Sequence, residues 1–268
     1  MSEYIELKGI NKVFVTKRSE IYALQDIDMK FKKGEFVSIV GPSGCGKSTI
    51  IRLIDDIIKP TNGTITVDGH TYNNEELPKE FIKKMGFIFQ VPNLYPWLTI
   101  KENVMLPLRI YGLNGEEYEK RTQDLLKYVG LESYANKYPS AISGGMAQRI
   151  GVIRGMVHNP EILMMDEPFG ALDALTRQNM QTLIRKIWSQ TQNTVFLITH
   201  DVDEALALAT RVIVMSSRPG RIVKQFETDF TYDIGGVNKE SARYTREYMQ
   251  IREEILNIIN EQNETLKL

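Results

Sequence analysis

The residues with the clearest chemistry lie in residues 41–49 (GPSGCGKST), which match the pattern G-x-x-x-x-G-K-[ST]. Glycines let the backbone turn tightly, so that successive N–H groups point inward at phosphate oxygens. Lys47 is long enough to reach the β- and γ-phosphates of a nucleotide, and the Ser48 hydroxyl is a ligand for Mg²⁺. The segment therefore predicts a phosphate-binding loop, in preference to a glycine turn that merely precedes a helix.

The sequence on both sides of this loop supports that prediction. Residues 35–40 form a short apolar run, which indicates a buried strand. Isoleucines and a leucine recur at helical spacing after the loop: Ile50, Ile51, Leu53, Ile54, Ile57 and Ile58. The helix N-terminus adds about half a positive charge at the loop. Every residue of the loop is a candidate nucleotide contact: Gly41, Pro42, Ser43, Gly44, Cys45, Gly46, Lys47, Ser48 and Thr49.

Two adjacent acids, Asp166 and Glu167, end a second apolar run at residues 161–165. Adjacent residues on a strand point to opposite sides, so we expect Asp166 to face a Mg²⁺ shell and Glu167 to face the γ-phosphate. A carboxylate there can polarise the attacking water as a general base. The alternative is an acidic strand end that caps the next helix.

Single polar residues follow two other buried runs. His200 comes after residues 194–198, and open α/β sheets bind ligands at the carboxyl ends of their strands. We therefore predict that His200 contacts the γ-phosphate, although a lone histidine is often structural. Gln90 follows a predicted strand at residues 87–89 and lies between the phosphate loop and the later polar clusters.

Ser143, Gly144 and Gly145 precede a predicted helix over residues 146–157. Serine at this place is often only a helix cap. The paired glycines bare the backbone N–H groups at a helix N-terminus, which predicts a second anion site.

Large aromatic residues occur in two places, and each place allows both a binding role and a packing role. Phe14 and Tyr22 lie before the phosphate loop, where either stacks on a nucleotide base or packs in the core. Residues 95–98 (YPWL) lie at the start of a helix-rich region over 91–160, where they either pack internally or form a partner-binding surface.

The remaining pattern completes a mixed α/β arrangement. Residues 4–34 predict short antiparallel strands, residues 64–67 a strand before a turn, and residues 211–215 the last strand. An apolar stripe marks one late helix, which packs on the domain or serves as a partner-binding tail. The stripe comprises Tyr244, Tyr248, Ile251, Ile255, Ile258 and Gln262.

The composition of the chain argues against several classes of protein. The formal net charge is -1, so no global basic field predicts nucleic-acid binding. The single cysteine, Cys45, excludes an intrachain disulfide and favours a reducing compartment. No leader pattern is expected at the start, and no apolar run approaches the ~20 residues of a membrane span. The sequence has no cluster of cysteines or histidines that would predict a zinc site.

In this order the motifs resemble the nucleotide-binding subunit of an ABC transporter, over about residues 4–225. Residues 95–98, 143–149, 165–173 and 199–205 resemble more narrowly the importer ATPases of the nitrate/sulfonate/taurine type. Met146 stands where the broad family favours Gln, and residues 54–57 (IDDI) replace a more usual small-residue turn. The resemblance implies an α/β fold with a P-loop NTPase (RecA-like) core, an N-terminal antiparallel β-subdomain and an inserted α-helical subdomain. One domain would span residues 1–268, with the helical subdomain at about 91–160 and a C-terminal extension at about 217–268.

The resemblance also implies function. ATP and Mg²⁺ would bind in a head-to-tail homodimer, with Ser143, Gly144 and Gly145 of one copy closing the loop of the other. Gln90 would join Ser48 and Asp166 as a metal ligand, Asp173 would contact nucleotide, and Phe14 would fit the base-stacking position better than Tyr22. Residues near 91–110 would hold a coupling helix of a membrane permease, which an extracytoplasmic solute-binding protein serves. The subunit would lie at the cytoplasmic face of the membrane. Exporter and non-transport ABC ATPases are the alternatives.

Overall fold

A computed structural model of the chain describes residues 4–17, 19–72, 76–228, 230 and 245–265. The chain divides into two compact units, one formed by the residues up to Pro78 and from Trp188 onward, the other by Lys79–Ile187. The elements in chain order are β1 (Ile5–Val15), β2 (Glu20–Phe31), β3 (Phe36–Val40), α1 (Lys47–Ile54), β4 (Asn62–Val67), β5 (His70–Tyr72), α2 (Lys79–Ile82), β6 (Met85–Ile88), α3 (Ile100–Tyr111), α4 (Glu116–Tyr128), α5 (Gly144–Met156), β7 (Ile162–Asp166), α6 (Ala174–Thr191), β8 (Thr194–Ile198), α7 (Val202–Leu208), β9 (Arg211–Met215), β10 (Ile222–Glu227) and α8 (Arg246–Thr265).

An antiparallel sheet in the order β2-β1-β4-β5 lies in the first unit. It confirms the antiparallel pairing expected for residues 4–34 and the strand at 64–67. The first two strands are longer than expected, at 11 and 12 residues. Register shifts occur between Leu7 and Ile10 and again at Lys12. Each bulge resets which face a side chain points to, and this explains why the sequence alternates only weakly.

The first unit also contains β3, which pairs in parallel with β8 and β9. All residues of β3 and β8 are buried, as is usual for parallel strands covered on both faces. The prediction that β9 is the last strand is wrong, because β10 pairs antiparallel with it. In β10 only Phe226 is buried, so this edge strand lacks the apolar pattern by which a strand is recognised.

Helix α1 ends earlier than its apolar spacing predicted. Asp55 is its C-cap, and Asp56 adopts the left-handed region at φ 58°. Ile57 and Ile58 therefore lie beyond the helix, and Ile57 is exposed. The IDDI segment thus stops the helix where the isoleucine spacing alone would have continued it.

Helix α8 packs on α7 and β9. Its buried residues include Tyr248 and Ile255. The Tyr248 hydroxyl donates to Asp203 Oδ1 at 2.9 Å, and Arg252 Nε donates to the same carboxylate at 2.8 Å. These contacts confirm that the stripe packs on the domain, while Tyr244 lies outside the described residues.

The second unit joins the parallel pair β6 and β7 to helices that confirm the helical prediction for residues 91–160. Helix α5 packs against α3, α4 and β6. A Cβ at Gly155 of α5 would lie 2.9 Å from the Phe87 carbonyl oxygen, so only glycine permits this close approach. None of the helices within the described ranges has both the length and the apolar character needed to cross a membrane.

Candidate functional site

The phosphate loop connects the end of β3 to the start of α1. Gly46 precedes the helix with φ 101°, in the left-handed region that favours glycine. A Cβ at this position would also lie 2.6 Å from Leu24 Cδ2 and 2.9 Å from the Ala23 carbonyl oxygen. Both backbone angle and space therefore require the glycine that the motif predicted.

Lys47 folds back into the loop. Its Nζ donates to the carbonyl oxygens of Gly41 at 2.7 Å and Pro42 at 2.9 Å, and the residue is 7% exposed. The ammonium is thus held by the loop's own backbone. An ammonium donates stronger hydrogen bonds to anionic phosphate oxygens than to neutral carbonyl oxygens.

Cys45 is fully buried within the same loop. Burial raises the pKa of its thiol, and the Lys47 ammonium opposes that shift. The side chain therefore contributes packing, and its backbone is the part available to the phosphate site.

His200 follows β8 and is exposed. The backbone after it is fixed, because Asp201 N–H donates to Thr199 Oγ1 at 3.1 Å. Asp201 then caps α7 by accepting from the Glu204 N–H at 3.1 Å. The imidazole is consequently presented from an ordered strand–helix connection.

The two candidate stacking residues both lie at the surface of the antiparallel sheet, so neither is a core residue. Phe14 on β1 is 38% exposed, and Lys12 Nζ lies 5.0 Å from its ring centroid. Tyr22 on β2 is 55% exposed and donates its hydroxyl proton to Glu20 Oε2. An exposed ring beside a cation is a suitable surface for a purine and its phosphates.

Gln90 and Glu167 are in direct contact in the second unit. Gln90 Nε2 donates to Glu167 Oε2 at 3.0 Å. The two residues follow β6 and β7, whose paired register runs to Ile88 and Met165. The sheet register thus brings together side chains that the sequence had placed only separately at strand ends. The strand itself ends at Ile88, so the expectation that Phe89 belongs to it is wrong, and Phe89 is 40% exposed.

Glu167 itself lies outside β7, which ends at Asp166. Its backbone has φ 45°, a left-handed conformation that is uncommon for a non-glycine residue. Strand alternation therefore does not orient this side chain. The turn orients it instead, and such strain is often found at functional positions, at a cost of about 1–3 kcal/mol.

Gln148 on α5 is a site residue that the sequence reasoning did not single out. Its Nε2 donates to the Pro168 carbonyl at 2.8 Å and to the Phe89 carbonyl at 3.3 Å. The side chain is 1% exposed. One buried amide thereby ties together the backbones next to Gln90 and Glu167. Only its place two residues after Met146, in the stretch that resembles the family motif, pointed to it.

Ser143 caps α5, since its Oγ accepts from the Met146 N–H at 3.3 Å. A Cβ added to Gly144 would meet nothing within 4 Å, and one at Gly145 nothing closer than 4.0 Å. Neither glycine has the left-handed backbone that would require it. No contact within the described chain explains this glycine pair, which leaves the first amides of α5 bare.

Asp173 precedes α6 and accepts from the Thr176 N–H at 3.0 Å. That hydrogen bond lowers the pKa of the Asp173 carboxyl. It is therefore a helix cap in this structure, and its predicted contact with nucleotide stays a prediction.

Residues 95–98 form an exposed aromatic loop, which excludes the core-packing alternative. Trp97 is 69% exposed and Tyr95 is 42% exposed, with ring centroids 5.3 Å apart. Asn103 on α3 holds the loop, accepting from the Tyr95 N–H at 2.8 Å and donating to the Leu98 carbonyl at 3.0 Å. A fixed apolar surface of this kind is typical of a partner contact.

The predicted site residues thus fall into two sets. The first unit carries the loop at residues 41–49, Phe14 and His200. The second unit carries Gln90, Asp166, Glu167, Asp173 and the Ser143–Gly145 segment.

Comparisons with known proteins give a consistent result. The profile of the family described as ABC transporter matches residues 24–170. The taurine import ATP-binding protein TauB of Pelagibacter ubique is 39% identical over 97% of this chain and 96% of its own length. The nitrate import ATP-binding protein NrtD of a Synechocystis strain is 41% identical over 86% of this chain and 84% of its own.

A solved structure is similar as well. It is a dimeric ATP-binding cassette in a post-hydrolysis state, bound to ADP and Pi, with 36% identity and a TM-score of 0.75. The similarity covers 84% of this chain and 99% of that one. The expected P-loop NTPase fold is thereby confirmed, and the chain belongs to the ABC transporter family.

Proposed function

We propose that this chain is the ATP-hydrolysing subunit of an ABC importer for a small solute of the taurine, sulfonate or nitrate kind. The support is its identity of 39% and 41% to taurine and nitrate import ATP-binding proteins over most of both chains. The subunit would work at the cytoplasmic face of the membrane with separate permease subunits, which receive solute from an extracytoplasmic binding protein.

The phosphate loop would bind ATP. Its amides and the Lys47 ammonium take the phosphate oxygens, and the Phe14 ring stacks on the base. His200 would donate to the γ-phosphate as negative charge is redistributed during transfer.

Hydrolysis would use Glu167. Its carboxylate accepts a proton from the attacking water while the bond between the γ-phosphorus and the bridging oxygen breaks and ADP leaves. Gln90 orients that carboxylate through its 3.0 Å hydrogen bond. This contact is the observation that carries the proposal of hydrolysis. A protein that bound ATP without hydrolysing it would need the phosphate loop but not a carboxylate held in place by Gln90.

The residues present fit Mg²⁺. The Ser48 hydroxyl, the Asp166 carboxylate and the Gln90 amide oxygen are hard oxygen donors, which this ion prefers. Within the described residues no group of three or more His, Cys, Asp or Glu forms a metal cluster. Bound there with nucleotide phosphates, Mg²⁺ would neutralise charge on the transferred group.

Two copies would form the complete site. The bare amides of α5 at Gly144 and Gly145 suit the γ-phosphate of ATP held by a second copy. The open space at Gly144, where a Cβ would meet nothing within 4 Å, leaves room for such an approach. The aromatic loop at residues 95–98 would receive the permease.

The test is Glu167→Gln, which keeps the shape and the Gln90 contact distance but removes the proton acceptor. We expect the ATPase rate to fall at least about a hundredfold, as for loss of a general base, while ATP still binds and dimers accumulate. Glu161→Gln is the matched control, because Glu161 lies just before the same strand in a surface ion pair with Lys84. Full turnover by Glu167→Gln would remove Glu167 from its role.

A further inference from the structure

A segment without any predicted site residue contacts the phosphate loop from outside. Residues 216–221 connect β9 to β10 in the first unit. Arg218 lies in this connection, and its Nε donates to the carbonyl oxygen of Gly44 at 2.8 Å. Gly44 is in the middle of the phosphate loop, 174 residues earlier in the chain.

The guanidinium also covers Gly44. A Cβ built on Gly44 would lie 2.8 Å from Arg218 Nη2 and 3.4 Å from its Cζ. Gly44 in addition has φ 74°, in the left-handed region. The guanidinium therefore packs directly against the backbone of Gly44, and no larger residue fits at position 44 without displacing the guanidinium.

The hydrogen bond fixes a peptide plane. In a trans peptide the carbonyl and the following N–H point in opposite directions. Because Gly44 presents its oxygen to Arg218, the Cys45 N–H points into the loop. It donates there to the Pro42 carbonyl at 3.3 Å, the same oxygen that Lys47 Nζ reaches at 2.9 Å. The Arg218 contact therefore fixes the direction of the Cys45 N–H toward the inside of the loop, which is where loops of this kind present their amides to anions.

The connection that carries Arg218 is itself anchored. Gly220 N–H donates to the Ala23 carbonyl of β2 at 3.0 Å, and Gln25 N–H donates to the Gly220 carbonyl at 3.0 Å. Ser217 N–H donates to Gln262 Oε1 of α8 at 3.3 Å. Arg218 is therefore supported by β2 on one side and by the C-terminal helix on the other.

We propose that Arg218 is a positioning residue for nucleotide binding, which holds the phosphate loop in its anion-accepting shape from the side opposite the phosphates. The proposal rests on the proposed function, in that the loop binds ATP. Arg218 acts through the Gly44–Cys45 peptide and need not touch the nucleotide.

The chain's single cysteine gives a direct probe of the loop. Cys45 is fully buried, so its reaction with a maleimide reports how often the loop opens. Without nucleotide, we expect Arg218→Ala to react at least about fivefold faster than the wild type. We also expect its Kd for ADP with Mg²⁺ to rise about tenfold, which corresponds to the loss of one charge-assisted hydrogen bond.

Arg221→Ala is the matched control. Arg221 lies in the same connection, but its Nη2 donates to Gln25 Oε1 at 2.6 Å and not to the loop. It should change either quantity by less than about twofold. Arg218→Lys should lie between wild type and Arg218→Ala, because an ammonium can reach the carbonyl but cannot cover Gly44 as a plane.

Two results would overturn the proposal: wild-type thiol and ADP values in Arg218→Ala, or equal losses in Arg221→Ala, which would indicate general loosening. A wild-type chain that bound no ADP would count against the proposed function. The thiol rates would still decide whether Arg218 holds the loop.

Discussion

Asp55 has an unusual environment among the acidic residues of the first unit. It caps the carboxyl end of α1, where the helix dipole is negative, and Asp56 follows it directly. Burial, with a further contribution from the charge of Asp56, raises the pKa of the Asp55 carboxyl to about 7. Asp56 is instead paired with Lys59 at 2.5 Å. The two acids of the IDDI segment therefore differ. Asp56 forms an ion pair with Lys59, whereas burial disfavours the ionised form of Asp55.

This pKa predicts how stability depends on pH. Between the ordinary value of 3.8 and about 7, the folded state retains a proton on Asp55 that the unfolded state releases. The contribution of Asp55 to stability is therefore present at low pH and is lost as pH rises through that window. Asp55→Asn, which cannot ionise, should gain stability relative to wild type across the same window and keep a constant advantage above it.

Chemical unfolding at several pH values measures this difference. Asp124→Asn, at an exposed position of α4, is the control and should give the wild-type profile. Parallel profiles for wild type and Asp55→Asn would contradict the assignment.

At the scale of elements, α5 contributes more than its N-terminal glycines. Gln148 anchors it to the turns after β6 and β7 by hydrogen bonds to the Phe89 and Pro168 carbonyls. Because these turns carry Gln90 and Glu167, a shift of the helix would change the geometry of the two residues proposed to take part in hydrolysis. The helix that presents the glycine pair is thereby linked to the residues proposed for hydrolysis.

Gln148→Met tests this link with a side chain of similar size. We expect a loss of about 1–3 kcal/mol of unfolding free energy, because the buried Pro168 carbonyl and the part-buried Phe89 carbonyl lose their donor. The value of kcat should fall about tenfold, with little change in KM for ATP, since the loop at residues 41–49 is untouched. Steady-state kinetics and thermal unfolding measure both effects.

Gln123→Met, at an exposed site on α4, should leave both values near wild type. A Gln148→Met enzyme that lost stability but kept its kcat would show that Gln148 is a packing residue only.

At the scale of the whole molecule, the proposed mechanism requires two copies. Ser143→Arg places a long cation at the N-terminus of α5, where it would obstruct a second copy and repel the helix dipole. We expect ATPase activity to fall at least about a hundredfold, because the site would no longer close, while the isolated chain binds ATP as before. Ser189→Arg, at an exposed position of α6, is the control.

The two measurements are nucleotide affinity and the oligomeric state in the presence of ATP. If Ser143→Arg hydrolysed ATP at the normal rate, the shared site would be ruled out.

The sequence alone determined the phosphate loop, because its chemistry is local: a strand, a glycine turn and a helix start suffice to orient the amides and Lys47. It also determined the order of the polar strand ends, because each buried strand is an apolar run and the polar candidate residues follow directly after these runs. Tertiary structure decided what depends on register between distant segments. The contacts of Gln90 with Glu167 and of Arg218 with Gly44 join residues 77 and 174 positions apart, and no local pattern encodes such a pairing. The early end of α1, the exposed strand β10 and the left-handed turn at Glu167 were likewise set by packing and caps, which override spacing and propensity.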